Sequence, residues 1–252
     1  MKTPILSIQK ISQLALGMLL IAGLTMASCN KKDDENPDPG GGDDPSTENP
    51  SPQLGAGTLV AIKTQNTTST PIGDITTTIG LGVAAFSSNG YSSLTDAGSV
   101  QLNGNALTKQ SNNSYVFMPS ITNPTGIELG NTIEWEVAGN GDTPAFSHTV
   151  QAPFPTVGAI TSSTDVSKSG YTLTVASVTN ADSVYFQVGN VLKALAGNTR
   201  SYEFTAAELS GLSTGQSIIQ VAPYKISQAA YGGKNFYFVN ETTVSASANI
   251  TE

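Results

Sequence analysis

His148 is the sole histidine in the 252-residue chain, so any Ser-His-Asp relay or histidine-ligated metal centre has to run through it. It lies in Phe146-Ser147-His148-Thr149-Val150, where Phe146, His148 and Val150 share a face by period two. A general base there would need Asp142 or a nearby serine. No His-Glu-x-x-His spacing accompanies it, and the residue reads as part of a strand near a domain junction. Glu134 and Glu136 are a second candidate. Two residues apart on a strand, their Cα atoms lie about 6.6 to 6.8 Å from one another, a separation comparable to that of glycosidase carboxylates. They alternate with Ile133, Trp135 and Val137, however, and that alternation describes a solvent-facing strand surface with Trp135 in the core. Asn140-Gly141-Asp142 and Asp96 could supply calcium ligands, but no Asp-x-Asp-x-Asp-Gly loop exists and Gly139 to Asp142 reads as a turn. The expectation is a protein with no catalytic residues, no metal and no cofactor.

The chain's one cysteine, Cys29, closes a hydrophobic N-terminal stretch. Lys2 and Lys10 precede an uninterrupted apolar block, Leu14 to Leu24, which is about half of the ~20 residues a membrane span requires. Residues 1–28 therefore read as a signal peptide. Met26-Ala27-Ser28-Cys29 resembles a bacterial lipobox, which implies cleavage before Cys29 and acylation of its thiol. Acyl chains contribute about 0.8 kcal/mol per buried methylene, enough for stable attachment to a membrane.

Residues 29–53 carry almost nothing apolar and read as a disordered acidic tether, with a reach of roughly 25 to 30 Å. Lys32, Asp33 and Asp34, close behind the cysteine, resemble the surface-export signal of Bacteroidota lipoproteins. That resemblance implies an outer-membrane protein exposed at the cell surface.

Net charge is −8, divided between the tether and a mildly acidic, weakly charged body. No basic stripe exists that could follow phosphates, which excludes nucleic acid as a partner. The body is rich in Thr, Ser, Val, Gly and Asn, a composition that favours strands and turns. The expected class is all-β. Short alternating runs separated by turns predict strands at 58–64, 79–86, 99–102, 114–118, 131–138 and 146–151. A second set is predicted at 171–175, 183–188, 191–195, 201–205, 216–224 and 235–244.

Asn103-Gly104 predicts a tight hairpin turn, Gly189-Asn190 another two-residue connection, and Thr205-Ala-Ala-Glu208 a capping box on a short helix. Ala152-Pro-Phe-Pro155 interrupts strand pairing, which places a boundary between a first β-sandwich, 54–153, and a second, 154–252. Two consecutive sandwiches with a helical turn before a late strand resemble immunoglobulin or fibronectin type III modules, although the immunoglobulin disulfide has no cysteines here. Asp182-Ser183-Val184 resembles a Bacteroidota O-glycosylation acceptor.

The best binding candidate is the loop around Tyr231, Gly232, Gly233, Lys234 and Asn235, at the tip of a predicted hairpin. Together these features describe a recognition or adhesion module held on a membrane by its lipid, with an extracellular protein or glycan as partner. The alternative is a structural or assembly subunit, of fimbrial type or accessory to an outer-membrane uptake complex.

Overall fold

Ile133, Trp135 and Val137 are buried while Thr132, Glu134 and Glu136 are exposed, so the alternation in the sequence is the alternation of a half-buried strand. The computed structural model describes residues 55–70 and 73–252, with backbone alone at 66–70 and 73–75. The predicted signal peptide, Cys29, Lys32, Asp33, Asp34 and the tether lie outside the described residues.

The chain begins with two long strands, β1 (Gly57–Thr70) and β2 (Gly73–Phe86). Short strands follow: β3 (Val100–Leu102), β4 (Asn105–Ala106), β5 (Thr108–Lys109) and β6 (Tyr115–Phe117). Next come β7 (Thr132–Val137), β8 (Phe146–Gln151), β9 (Thr156–Val157), β10 (Asp165–Ser167), β11 (Gly170–Thr174) and β12 (Val178–Thr179). The chain then forms β13 (Ser183–Val188), β14 (Val191–Ala196), β15 (Ser201–Thr205) and one helical turn, α1 (Ala206–Leu209). It ends in a long hairpin, β16 (Gly215–Tyr231) and β17 (Lys234–Thr251).

The protein is all-β with several sheets. The largest runs β14-β13-β16-β17-β1-β2-β6-β5, with β10 added beside β17. A four-stranded sheet, β4-β3-β7-β8, and two-stranded pairs β11-β15 and β12-β9 complete the described set. One face of the large sheet carries two separate cores. The first collects Leu59, Phe86, Leu102, Trp135, Phe146 and Phe238. The second collects Val166, Leu173, Phe186, Phe204, Val221 and Ile250.

Residues 152–157 pass from the first core, which holds Phe154, to the second, which holds Val157. The terminal hairpin belongs to both: Phe236 and Phe238 enter the first core, Val244, Ala248 and Ile250 the second, and all five share one face of β17. Between them, Asn240 donates its side-chain amide to the Ala152 carbonyl at 3.2 Å, and the Thr242 hydroxyl donates to that of Pro155 at 2.7 Å. The connecting segment is thus strapped to β17. Its Phe154 is buried in the first core, with the Lys63 ammonium 4.1 Å over its ring.

At this waist the β16–β17 ladder pauses. Val221 pairs with Val244 and Tyr224 with Glu241, while Ala222 and Pro223 have no partner on β17 in the register. Pro223 has no N–H to give, so its position in an interior strand requires such a gap. Glu241, at this point, is 4 % exposed and one of its carboxyl oxygens has no hydrogen-bond partner among the described residues. Burial raises its pKa from 4.5 to about 8, so the acid is mostly protonated at neutral pH.

The folded state then holds the proton more tightly than the unfolded state, and stability falls as pH rises from 4.5 through about 8. We expect chemical denaturation to show this loss, on the order of 3 kcal/mol between pH 4.5 and 7. Glu241→Gln should flatten that dependence; an unchanged pH profile would contradict the assignment.

Candidate functional site

Gly232 and Gly233 have φ of +55° and +74°, the pair of positive values that a two-residue type I′ hairpin turn demands. They close β16 onto β17 and bring Tyr231 and Lys234 to the tip, as the loop's residue types predict. The tip is docked on neighbouring chain. The Lys234 ammonium donates to the Asp142 carbonyl at 2.6 Å. A Cβ placed on Gly232 would lie 3.1 Å from Pro144 Cβ, so glycine there serves close approach as well as backbone geometry.

The loop that receives the tip, between β7 and β8, is itself a tight turn in which Asn140 and Thr143 exchange two backbone hydrogen bonds of 3.0 Å. Gly139 and Gly141 supply its positive φ values, +79° and +54°. Asn140 and Asp142 are thereby committed to a turn that seats the hairpin.

Tyr231 lies parallel to Phe146, ring centroids 4.4 Å apart at 8°. Its hydroxyl is 2.8 Å from His148 Nδ1 and 3.3 Å from the Ser147 carbonyl. His148 in turn stacks on Phe238 at 3.8 Å. A tyrosine hydroxyl has one proton, and a carbonyl can only accept. Both contacts are satisfied together when His148 Nδ1–H donates to the tyrosine oxygen and the tyrosine O–H donates to Ser147. Partial burial lowers the histidine pKa below 6.5, which favours the neutral ring.

Among the described residues His148 therefore meets aromatic rings and a hydroxyl. Asp142 meets Lys234 through its backbone, and Ser147 points to the opposite, exposed side of β8. Glu134 and Glu136 are exposed on the outer side of the four-stranded sheet. Asp96 accepts from Lys109 at 2.8 Å, from the Tyr115 hydroxyl at 2.7 Å and from Gly98 N–H at 2.9 Å, contacts that hold its carboxyl well below the usual range. Among the described residues no three His, Cys, Asp or Glu side chains converge as metal ligands. Ser183 is 3 % exposed within β13, and Asp182 accepts from Ile226 N–H, so the O-glycosylation acceptor presents no accessible hydroxyl.

The sequence reading, which found no Gly-x-Ser-x-Gly pattern, missed one feature that the chain does carry, and the structure adds a second. Gly211-Leu212-Ser213-Thr214-Gly215 has the spacing of a nucleophile elbow, but it joins α1 to β16, the reverse of the strand-turn-helix order that motif needs. Leu212 beside that serine packs in the second core, whereas His148 stacks on Phe238 of the first. The second feature is a shallow cleft of about 350 Å³ on the outer side of the four-stranded sheet, lined by Ser99, Gln101, Glu136, Ala138, Ala145 and Ser147. Gln101, Glu136 and Ser147 are cross-strand neighbours, which puts an amide, a carboxylate and a hydroxyl in one row beside the docked tip.

Comparison with protein-family models, with curated proteins and with solved structures finds no match for the chain. The architecture defines an all-β protein with several sheets, whose hairpin tip, receiving turn and polar cleft meet at one end of the first core.

The hydrogen-bond chain sets a measurable tautomer. Nitrogen NMR of the single histidine should report the Nδ1–H form at pH 7, and Tyr231→Phe should shift the ring toward the Nε2–H form at a cost of about 1 kcal/mol in stability. An Nε2–H ring in the parent protein would refute the chain as drawn.

Proposed function

We propose that the protein is a non-enzymatic, lipid-anchored surface protein of an outer membrane. Residues 1–28 are removed, Cys29 is acylated, and Lys32, Asp33 and Asp34 direct export. The acidic tether 29–53 then holds two immunoglobulin-like sandwiches in the medium, and the tip formed by Tyr231, Gly232, Gly233, Lys234 and Asn235 recognises an extracellular protein or glycan.

The observation that carries this reading is the preorganisation of the tip. Its turn is locked by two positive-φ glycines, its lysine is held by the Asp142 carbonyl and its tyrosine is clamped on Phe146. A loop ordered before binding loses little conformational freedom when a ligand arrives. Gly233 and Asn235 are exposed at the apex, and the polar cleft around Gln101 and Glu136 widens the surface offered to hydroxyl-rich or peptide ligands. The alternative, an assembly subunit, would use an open sheet edge, and β14 is such an edge. Lys193 sits in the middle of β14 and ion-pairs with Glu208, a charge of the kind that blunts edge-to-edge pairing.

A glycan array and a cell-adhesion assay test the recognition role. Tyr231→Ala with Lys234→Ala should reduce binding at least tenfold while thermal unfolding stays cooperative; equal binding by the double variant would remove the tip from the mechanism. Intact-protein mass spectrometry from the native membrane tests the anchor, with an acylated N-terminal Cys29 expected and an unmodified thiol excluding it.

A further inference from the structure

Toward its C-terminal end, β16 has a strand beside it on one side only. β13 pairs with it from Ile219 to Tyr224. Asp182, just before β13, extends that cover by two residues: its N–H bonds the Tyr224 carbonyl at 2.9 Å, and its carboxylate accepts from Ile226 N–H at 2.8 Å. Beyond Ile226, the side of β16 that faces away from β17 meets no strand among the described residues. The direction of its backbone groups follows from the hairpin. A two-residue turn makes Tyr231 and Lys234 a hydrogen-bonded pair, so Ala229 with Phe236 and Ser227 with Phe238 are the next such pairs. The N–H and C=O groups of Gln228 and Ala230 therefore point outward, and both residues are exposed.

This edge is not blunted. β14, at one end of the large sheet, carries Lys193, and β5, at the other, is two residues long and holds Lys109. Ile226-Ser227-Gln228-Ala229-Ala230 has neither charge nor proline. The stretch is also its own complement. With a second copy laid antiparallel about a two-fold axis at Ala229, Gln228 meets Ala230 and Ala230 meets Gln228, each pair exchanging two backbone hydrogen bonds. On the side of the first core, Ala229 then faces Ala229 and Ser227 faces Tyr231, which sets small side chains at the axis and a hydroxyl beside a phenol ring. Lys225 falls opposite Gly233, so no like charges meet.

We propose that this edge of β16 is a homodimer interface, at which the large sheet of one protomer continues into that of its partner. Asp182 sets the register: by holding Ile226 N–H it closes the edge on the β13 side and confines pairing to the residues beyond. The contact is narrow and rests on backbone pairing at a few residues, so association is weak in dilute solution and favoured where chains are concentrated on a surface. Pairing goes beyond the recognition role proposed for the hairpin tip and does not require it. Its consequence for that role is two tips in one particle, which strengthens attachment to a surface bearing many copies of a ligand.

The test is sedimentation equilibrium of the purified full chain in density-matched detergent over a concentration series. The mass should rise toward that of two chains. Gln228→Pro and Ala230→Pro each delete an N–H that points away from β17, a change that edge strands tolerate, and each should hold the mass at one chain with circular dichroism unchanged. A parent that stays single across the series, or proline variants that pair as the parent does, would overturn the proposal. If proline disturbs the strand, a crosslink decides. At the axis the two Ala229 Cα atoms lie about 4.5 Å apart, within disulfide reach. In a Cys29→Ser chain, Ala229→Cys should give a disulfide-linked dimer under copper-phenanthroline oxidation, whereas Thr149→Cys, exposed on β8, should not. Equal crosslinking at the two positions, or none at residue 229, would overturn it as well. Neither readout involves a ligand, so a failure here leaves Tyr231 and Lys234 to be judged by their own binding assay.

Discussion

The structure depends on β17 being paired on both sides along most of its length. It is antiparallel to β16 from Lys234 to Ile250 apart from the gap at Pro223, and parallel to β1 from Phe236 to Val244. Sheet pairing of this kind satisfies backbone donors and acceptors that would otherwise be buried at a cost of 1 to 3 kcal/mol each, by the usual magnitudes. Because period two sends alternate residues to one side, a single uninterrupted strand delivers Phe236 and Phe238 to one core and Val244, Ala248 and Ile250 to the other. The connecting segment Ala152–Pro155 adds hydrogen bonds to Asn240 and Thr242 on that same side. Two cores therefore share one backbone, and a register slip in β17 would disturb both.

Much of this was legible where local chemistry decides. The alternation around Trp135 is the observed burial pattern. Asn103 and Gly104 adopt φ of +46° and +72°, as an Asn-Gly turn requires, and Gly189 takes +56° between β13 and β14. Thr205 and Glu208 form both bonds of the capping box, at 3.3 and 2.9 Å. The hairpin tip at Gly232-Gly233 stands where the double glycine puts it.

Other features depend on partners far along the chain, and local pattern is silent about those. β1 runs on to Thr70 and β2 begins at Gly73, through Thr, Ser and Asn residues that carry no apolar alternation. β16 continues past Pro223 to Tyr231, although a proline in a run normally demotes it, because the gap opposite Ala222 and Pro223 absorbs the missing donor. The docking of Lys234 on Asp142 and of Tyr231 on His148 joins residues 92 and 83 positions apart. Tyr231 and Lys234 could be singled out from their place in a loop; their seat on the β7–β8 turn could not.

The parallel pairing of β1 with β17 has a kinetic side. Gly57 meets Phe86 on β2 early, but its parallel partner Phe236 on β17 lies 179 positions further along the chain. Contacts of such long sequence separation close slowly, since loop entropy is lost before the contact rewards it. A chain emerging N-terminus first would hold β1 with one edge unsatisfied until β17 arrived, and the large sheet could close only then.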